Sequence, residues 1–273
     1  MRLGRIAWIN CFPVYGAIDR GIVSVPAELV SGTASELNDL LAAGELDVSA
    51  VSAVEYARNA AAYHLLPDLA ITCDGPVHSV ALFSKRPVAE LSGTTVLLTA
   101  SSRTSVLLLE LLCRHRWGVS PRFATVRAEA GDLGALAGFP HEAVLVIGDA
   151  ALVLGARDAY PHQVDLGAEW KAWTGLPFVF AVWAARRSAD PVRVRRIHAG
   201  LLESRAWGLA HLDALATDAE RATGIPAPVC RSYLGGLDYR LTYRHLAGLT
   251  DFFRRLAQDG LVPDGSLSFI TAA

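Results

Sequence analysis

The sequence lacks every cysteine pattern that would announce a metal or a redox site. Cys11, Cys73, Cys113 and Cys230 are scattered, with no CxxC spacing, so zinc-ligand and thioredoxin-like arrangements are excluded. It has no apolar run near the roughly 20 residues that cross a bilayer, which excludes a spanning helix, and no membrane partner is expected. Its first residues, MRLGRIAWINCFPVYG, lack the apolar stretch and small-residue cleavage site of an export signal. A cytoplasmic location with reduced thiols is therefore expected. No surplus of one charge exists either. Lys+Arg number 25 and Asp+Glu 27, for a formal net charge of −2, and the two signs are interspersed. Without a basic face, nucleic acid is not an expected partner. There is no low-complexity segment and no short solenoid repeat. Nothing in the sequence speaks to oligomeric state.

What is present is apolar and ordered. The chain has 273 residues, 52% of them hydrophobic, enough for two cores rather than one. Residues 3–9, 26–30 and 46–51 read as short strands, each followed by a helical pattern. Three such units in succession predict a parallel sheet with right-handed crossovers. Asn10 lies where the first strand gives way to a helix opened by Pro13. That is the ligand edge of an open α/β sheet, and equally a place for an Asn cap. Residues 69–73 and 77–84 read as further strands, broken by the turn signal Asp74-Gly75-Pro76. Ser79 stands in an otherwise apolar run beside His78. Its hydroxyl is either satisfied internally or faces a cleft, while His78, on an alternating strand, would point away.

The stretch GTTVLLTASSRTSVLLLELLCRHR, residues 93–116, organises the second half. A short β-rich apolar segment precedes a polar cluster of Ser101, Ser102, Arg103, Thr104 and Ser105, and an apolar helix follows. Unpaired N–H groups and the positive dipole end of the helix converge on that cluster. Capping needs one hydroxyl; four hydroxyls and a guanidinium suit a carboxylate or another small anion. Residues 143–147 form a buried strand leading into Gly148 and Asp149, a second junction of the same kind, with Asp149 read as a cap. Residues 163–166 suggest a weak strand, and 167–177 are rich in aromatic and turn residues. In that segment Glu169 and Trp170 either cover a pocket or fill a seam. Residues 178–185 form a long apolar strand, read as a return crossing and buried on both faces. Helices fill the remainder, the last spanning 242–258 with an apolar stripe.

The fold expected is α/β, with two lobes joined by two crossing strands and a cleft between them. Residues 1–86 plus 183–273 form the first lobe and 87–182 the second. On this plan the polar edges of both sheets meet around one small molecule.

Taken together, RIAWINCFPVY, GPVHSVALFSK, SSRTSVLLLELL, VLVIGDAAL and DLGAEWKAWTGLPFVFAVWAAR resemble the MqnA family of menaquinone biosynthesis, the chorismate dehydratases of the futalosine pathway. Singly these motifs are modest; five in order along the chain are specific. The resemblance implies a periplasmic-binding-protein-like fold of type II used as a cytoplasmic enzyme. The reaction it implies is loss of water from chorismate to give 3-[(1-carboxyvinyl)oxy]benzoate, with no metal or organic cofactor. It also places Asn10 and Ser79 near the reacting ring; the reading of the strand–helix junctions adds the 101–105 loop, with Arg103 as a bidentate partner, and Gly148 and Asp149 as substrate-binding positions. Two readings compete. One is a non-catalytic small-anion solute-binding protein; the other is 1,4-dihydroxy-6-naphthoate synthase, a related enzyme of the same pathway.

Overall fold

The structure is a computed structural model and describes residues 1–263 and 266–271. The expected first lobe, ending at 273, thus includes four positions outside the described residues. The chain divides into two compact units, Met1–Thr72 with Val179–Ala273, and Cys73–Phe178.

The first unit opens with β1 (Arg2–Ile6), α1 (Phe12–Asp19), β2 (Glu28–Gly32), α2 (Ala34–Ala42), β3 (Val48–Ser52), α3 (Ala53–Arg58) and β4 (Tyr63–Cys73). β1 pairs in parallel with both β2 and β3, as the repeated strand–helix pattern requires. Local chemistry fixes the helix starts. Thr33 and Glu36 form a reciprocal capping box on α2. The Ser52 hydroxyl accepts from the Glu55 N–H to cap α3.

The second unit contains β5 (Val80–Ser84), β6 (Thr95–Thr99), α4 (Thr104–Leu111), β7 (Arg122–Val126), β8 (Ala143–Ile147), α5 (Gly148–Gly155), β9 (His162–Asp165) and α6 (Leu166–Thr174). Its strand order is β7-β6-β8-β5-β9. β7, β6 and β8 run in parallel, and β5 is antiparallel to β8 and β9. Every residue of β5 and β8 is buried, which explains why both read as continuous apolar runs. One face packs Phe83, Leu97, Val144 and Val146 against Leu133, Ala151 and Leu154.

The chain then returns to the first unit through β10 (Phe178–Arg186), followed by α7 (Pro191–Ala210), α8 (Leu212–Thr223), α9 (Ala227–Gly236) and α10 (Tyr243–Gln258). β10 lies between β3 and β4 and is antiparallel to β3, so this sheet is mixed. The indole of Trp183, fully buried on β10, donates to the Tyr15 hydroxyl at 3.0 Å.

Several sequence expectations need correction. Residues 80–84 sit in the sheet of the second unit, not the first, and the units divide at 72–73 rather than at 86. The strand expected over 77–84 begins only at Val80, because Val77 and His78 turn, with His78 at φ +62°. His78 is consequently an exposed turn residue, not a strand residue facing away from Ser79. The helix after the serine cluster ends its α-helical part at Leu111 and continues as a π turn, Leu112–Trp117, stopped by left-handed Gly118. The segment rich in aromatic and turn residues, for which no element was expected, holds the regular helix α6.

Candidate functional site

In the second unit the strand directions bring one set of ends to a single sheet edge. Leu98 pairs with Leu145, Thr99 with Val126, Val80 with Ile147 and Ala81 with Asp165. The C-terminal ends of β6, β7, β8 and β9 therefore lie beside the start of β5. Three helices, α4, α5 and α6, begin at that edge. Their free N–H groups and positive dipole ends favour negative charge there.

The serine turn is held by several local hydrogen bonds. Ser102 Oγ accepts from the Ser105 N–H at 3.1 Å and donates to Ser105 Oγ at 3.0 Å. It thus supplies the cap of α4, although helical geometry starts two residues later. The Ser101 N–H donates to Thr99 Oγ1 at 3.2 Å, and its hydroxyl donates to the Glu129 carboxylate. Thr104 and Ser105 are buried, and Arg103 is partly exposed at the turn. With its proton held by Glu129, the Ser101 oxygen is left to accept hydrogen bonds.

Ser79 and Gly148 meet directly. The Gly148 N–H donates to the Ser79 carbonyl at 2.8 Å, and Ser79 is 3% exposed. Gly148 adopts φ +62°, a left-handed conformation that L side chains resist. Asp149 follows in the first turn of α5, where its charge complements the dipole. It does not cap: the cap position is Ile147, which has no side chain able to do so. The edge therefore unites Ser79, Ser101, Ser102, Arg103, Thr104, Ser105, Gly148 and Asp149.

Asn10 belongs to the first unit. It lies in a 3-10 turn, Ile9–Cys11, between β1 and α1. The capping reading fails, because neither the turn nor α1 receives a side-chain cap bond. Its amide oxygen Oδ1 is buried and has no hydrogen-bond partner among the described residues. A buried acceptor left unpaired costs about 1–3 kcal/mol, so native chains rarely keep one without a use.

Two residues of the second unit's edge escaped sequence reasoning. Glu129 stands on an irregular loop after β7 and carries no motif. Asp165 accepts from the Ala168 N–H at 2.9 Å and caps α6. An Asp three residues ahead of that N–H is a readable cap signal, masked by the aromatic and turn-rich composition beyond it. Among the described residues, no three His, Cys, Asp or Glu side chains gather as a metal-binding group. No helix among them is long and apolar enough to cross a membrane.

Two mixed α/β units, with the helix starts of the second gathered at one sheet edge, are the build of periplasmic-binding-protein-fold chains, and solved structures agree. Protein AF1704 from Archaeoglobus fulgidus superposes with a TM-score of 0.80 at 19% identity, over 96% of this chain and 98% of that one. The periplasmic aliphatic sulphonate binding protein SsuA from Escherichia coli gives 0.66 at 15% identity, over 97% and 94%. A family profile described as menaquinone biosynthesis matches residues 1–258, and the chain belongs to that family. A curated relative from Thermus thermophilus, named chorismate dehydratase, is 35% identical over 237 residues. That match spans 81% of this chain and 84% of the relative.

Proposed function

We propose that the chain is a chorismate dehydratase, a carbon–oxygen lyase that forms 3-[(1-carboxyvinyl)oxy]benzoate and water in the futalosine route to menaquinone. It would act in the cytoplasm, without metal or organic cofactor. The observation that carries the reading is the 35% identity, over 237 residues, to a relative named for this reaction. The local chemistry supports it. Chorismate carries two carboxylates, and the Ser101–Ser105 turn lies at an edge where three helices begin. The Arg103 guanidinium suits bidentate pairing with a carboxylate, and Gly148 lets backbone approach the substrate closely.

The reaction breaks a ring C–H bond and the neighbouring C–OH bond. The C–H electron pair becomes ring π density, and the proton and hydroxide leave as water. Because an aromatic ring forms, positioning supplies much of the catalysis. The unpaired Asn10 oxygen accepts from the ring hydroxyl and orients it. Asn is no base at neutral pH, and Ser79 contributes a hydrogen bond to the departing oxygen. Asp149 would be repelled by a dianionic substrate unless its pKa rose, so it is not the proton acceptor. The enolpyruvyl carboxylate of the substrate itself takes the proton from the ring carbon and passes it to the departing hydroxide, so that water leaves and the carboxylate is restored. A chorismate analogue lacking that carboxylate should bind without reacting; normal turnover of the bound analogue would exclude this step.

The deciding experiment incubates purified protein with chorismate and follows the aromatic enol ether by absorbance and mass spectrometry. Product formation is expected. Tight chorismate binding without product would sink the enzyme reading and favour an anion receptor.

A further inference from the structure

The carboxylate of Asp165 does more than cap a helix. Oδ1 accepts from the Ala168 N–H at 2.9 Å and from the Val77 N–H at 3.1 Å. Oδ2 accepts from the Val77 N–H at 3.0 Å and the His78 N–H at 2.6 Å. One side chain thus joins α6 to the segment immediately before Ser79. His78 sits there at φ +62° without being glycine, a conformation that persists only where its surroundings over-determine it.

Two further contacts fix the same segment to α6. Lys171 Nζ pairs with Asp74 Oδ1 at 2.5 Å. Gly167 lies so close that an added Cβ would come within 2.7 Å of the Gly75 carbonyl oxygen and 2.6 Å of Cys73 Sγ. Residues 74–78 therefore form a short strap, held at Asp74 by Lys171 and at Val77 and His78 by Asp165. Beyond the strap, the Ser79 carbonyl is held by the Gly148 N–H.

We propose that Asp165 is a positioning residue for the reaction: it acts through the strap to set the Ser79 hydroxyl. This rests on the reading of Ser79 as a residue that touches substrate. The substitution Asp165→Asn separates the two jobs of the side chain. Asn caps helices as well as Asp does, so its oxygen keeps the Ala168 bond. Its amide N–H group then faces the His78 N–H, donor against donor, and the strap is released.

The test measures kcat and KM for chorismate in the wild type, Asp165→Asn, Ser79→Ala and the double variant. Melting temperature and amide hydrogen exchange are measured alongside. In Asp165→Asn, kcat should fall by about 10- to 100-fold, as a misplaced catalytic contact does, with KM changed less than about threefold. Exchange across 74–79 should rise while α6 stays protected. In the Ser79→Ala background the same change should lower kcat no further. Asp165→Ser, which can cap but is too short to reach His78, should behave alike and serves if the Asn variant folds poorly. Wild-type kcat in Asp165→Asn, or an equal drop with and without Ser79, would overturn the proposal. Unchanged exchange over 74–79 would overturn it too. A wild type that leaves chorismate unchanged instead sinks the substrate assignment, and the exchange result then still decides whether Asp165 holds the strap.

Discussion

The N–H of Gly148 donates to the carbonyl oxygen of Ser79 at 2.8 Å, fastening the first turn of α5 to the residue that leads into β5. The contact depends on Gly148 holding φ +62°. An alanine there must adopt left-handed backbone, at about 1–2 kcal/mol. Gly148→Ala should lower the melting temperature by a few degrees and reduce chorismate turnover by about tenfold through the displaced Ser79. Calorimetry and a turnover assay read the two effects separately. A variant with wild-type melting and turnover would show that the junction tolerates a side chain and that Ser79 does not depend on it.

Asn10 is expected to behave in the opposite sense. Its buried Oδ1 has no partner among the described residues, an unsatisfied acceptor in the folded protein. Asn10→Ala removes that group. Stability should stay within about 0.5 kcal/mol of wild type or rise by up to about 1 kcal/mol. Turnover should fall by about 10- to 100-fold, as the loss of a contact that orients the departing hydroxyl does. Chemical denaturation and steady-state kinetics check both halves. A large loss of stability would make Asn10 a structural residue.

How far the sequence reaches can be judged from these same positions. The strand–helix junctions at Asn10, the 101–105 turn and Gly148 were legible because strand ends and helix starts have local signals. Apolar β runs, hydroxyl caps and a glycine in a strand-to-helix turn are all visible within a few residues. The placement of residues 80–84 was not legible, because an all-buried strand such as VALFS has no preferred sheet. Its partners, β8 and β9, lie far along the chain. The turn at His78 was hidden for a related reason. No glycine marks left-handed backbone in Val77-His78-Ser79, and the Asp165 carboxylate that holds the His78 N–H is remote in sequence. Likewise Glu129 meets Ser101 only through the pairing of β6 with β7.

An acid-sensitive element lies in α10. Burial alone would raise the pKa of Asp251, but hydrogen bonds from Arg255 at 2.7 Å and Arg254 at 2.5 Å outweigh it, and the net shift is downward. A carboxylate depressed on folding stabilises above its unfolded pKa, near 4. That stabilisation is lost as pH falls through the lower folded value. Asp251→Asn should therefore melt lower than wild type at pH 7, by less than about 1 kcal/mol because the arginines are partly solvated. The gap should close on acidification below about pH 4. A difference that stayed constant from pH 7 to pH 3 would show that packing, not charge, sets the effect.

The core of the first unit contains a polar chain that should tolerate loss poorly. The Trp183 indole N–H donates to the Tyr15 hydroxyl at 3.0 Å, and that hydroxyl donates to the Gly4 carbonyl at 2.8 Å. Both rings are almost fully buried, with centroids 6.3 Å apart. Burial pushes the Tyr15 pKa well up, with Cys11 adding to the rise, so the hydroxyl remains a neutral donor across the working pH range. Tyr15→Phe keeps the ring and removes only the link. It leaves the indole N–H without its partner and takes a hydrogen bond from the Gly4 oxygen. Each orphaned buried group costs about 1–3 kcal/mol, so the variant should lose about 2–6 kcal/mol. The loss should be the same at pH 6 and pH 9, since neither the Tyr15 hydroxyl nor the Trp183 indole changes charge between them. Urea titration at the two pH values checks it. A loss under about 0.5 kcal/mol would mean that water or a shifted backbone replaces the hydroxyl, and that β1, α1 and β10 do not depend on this link.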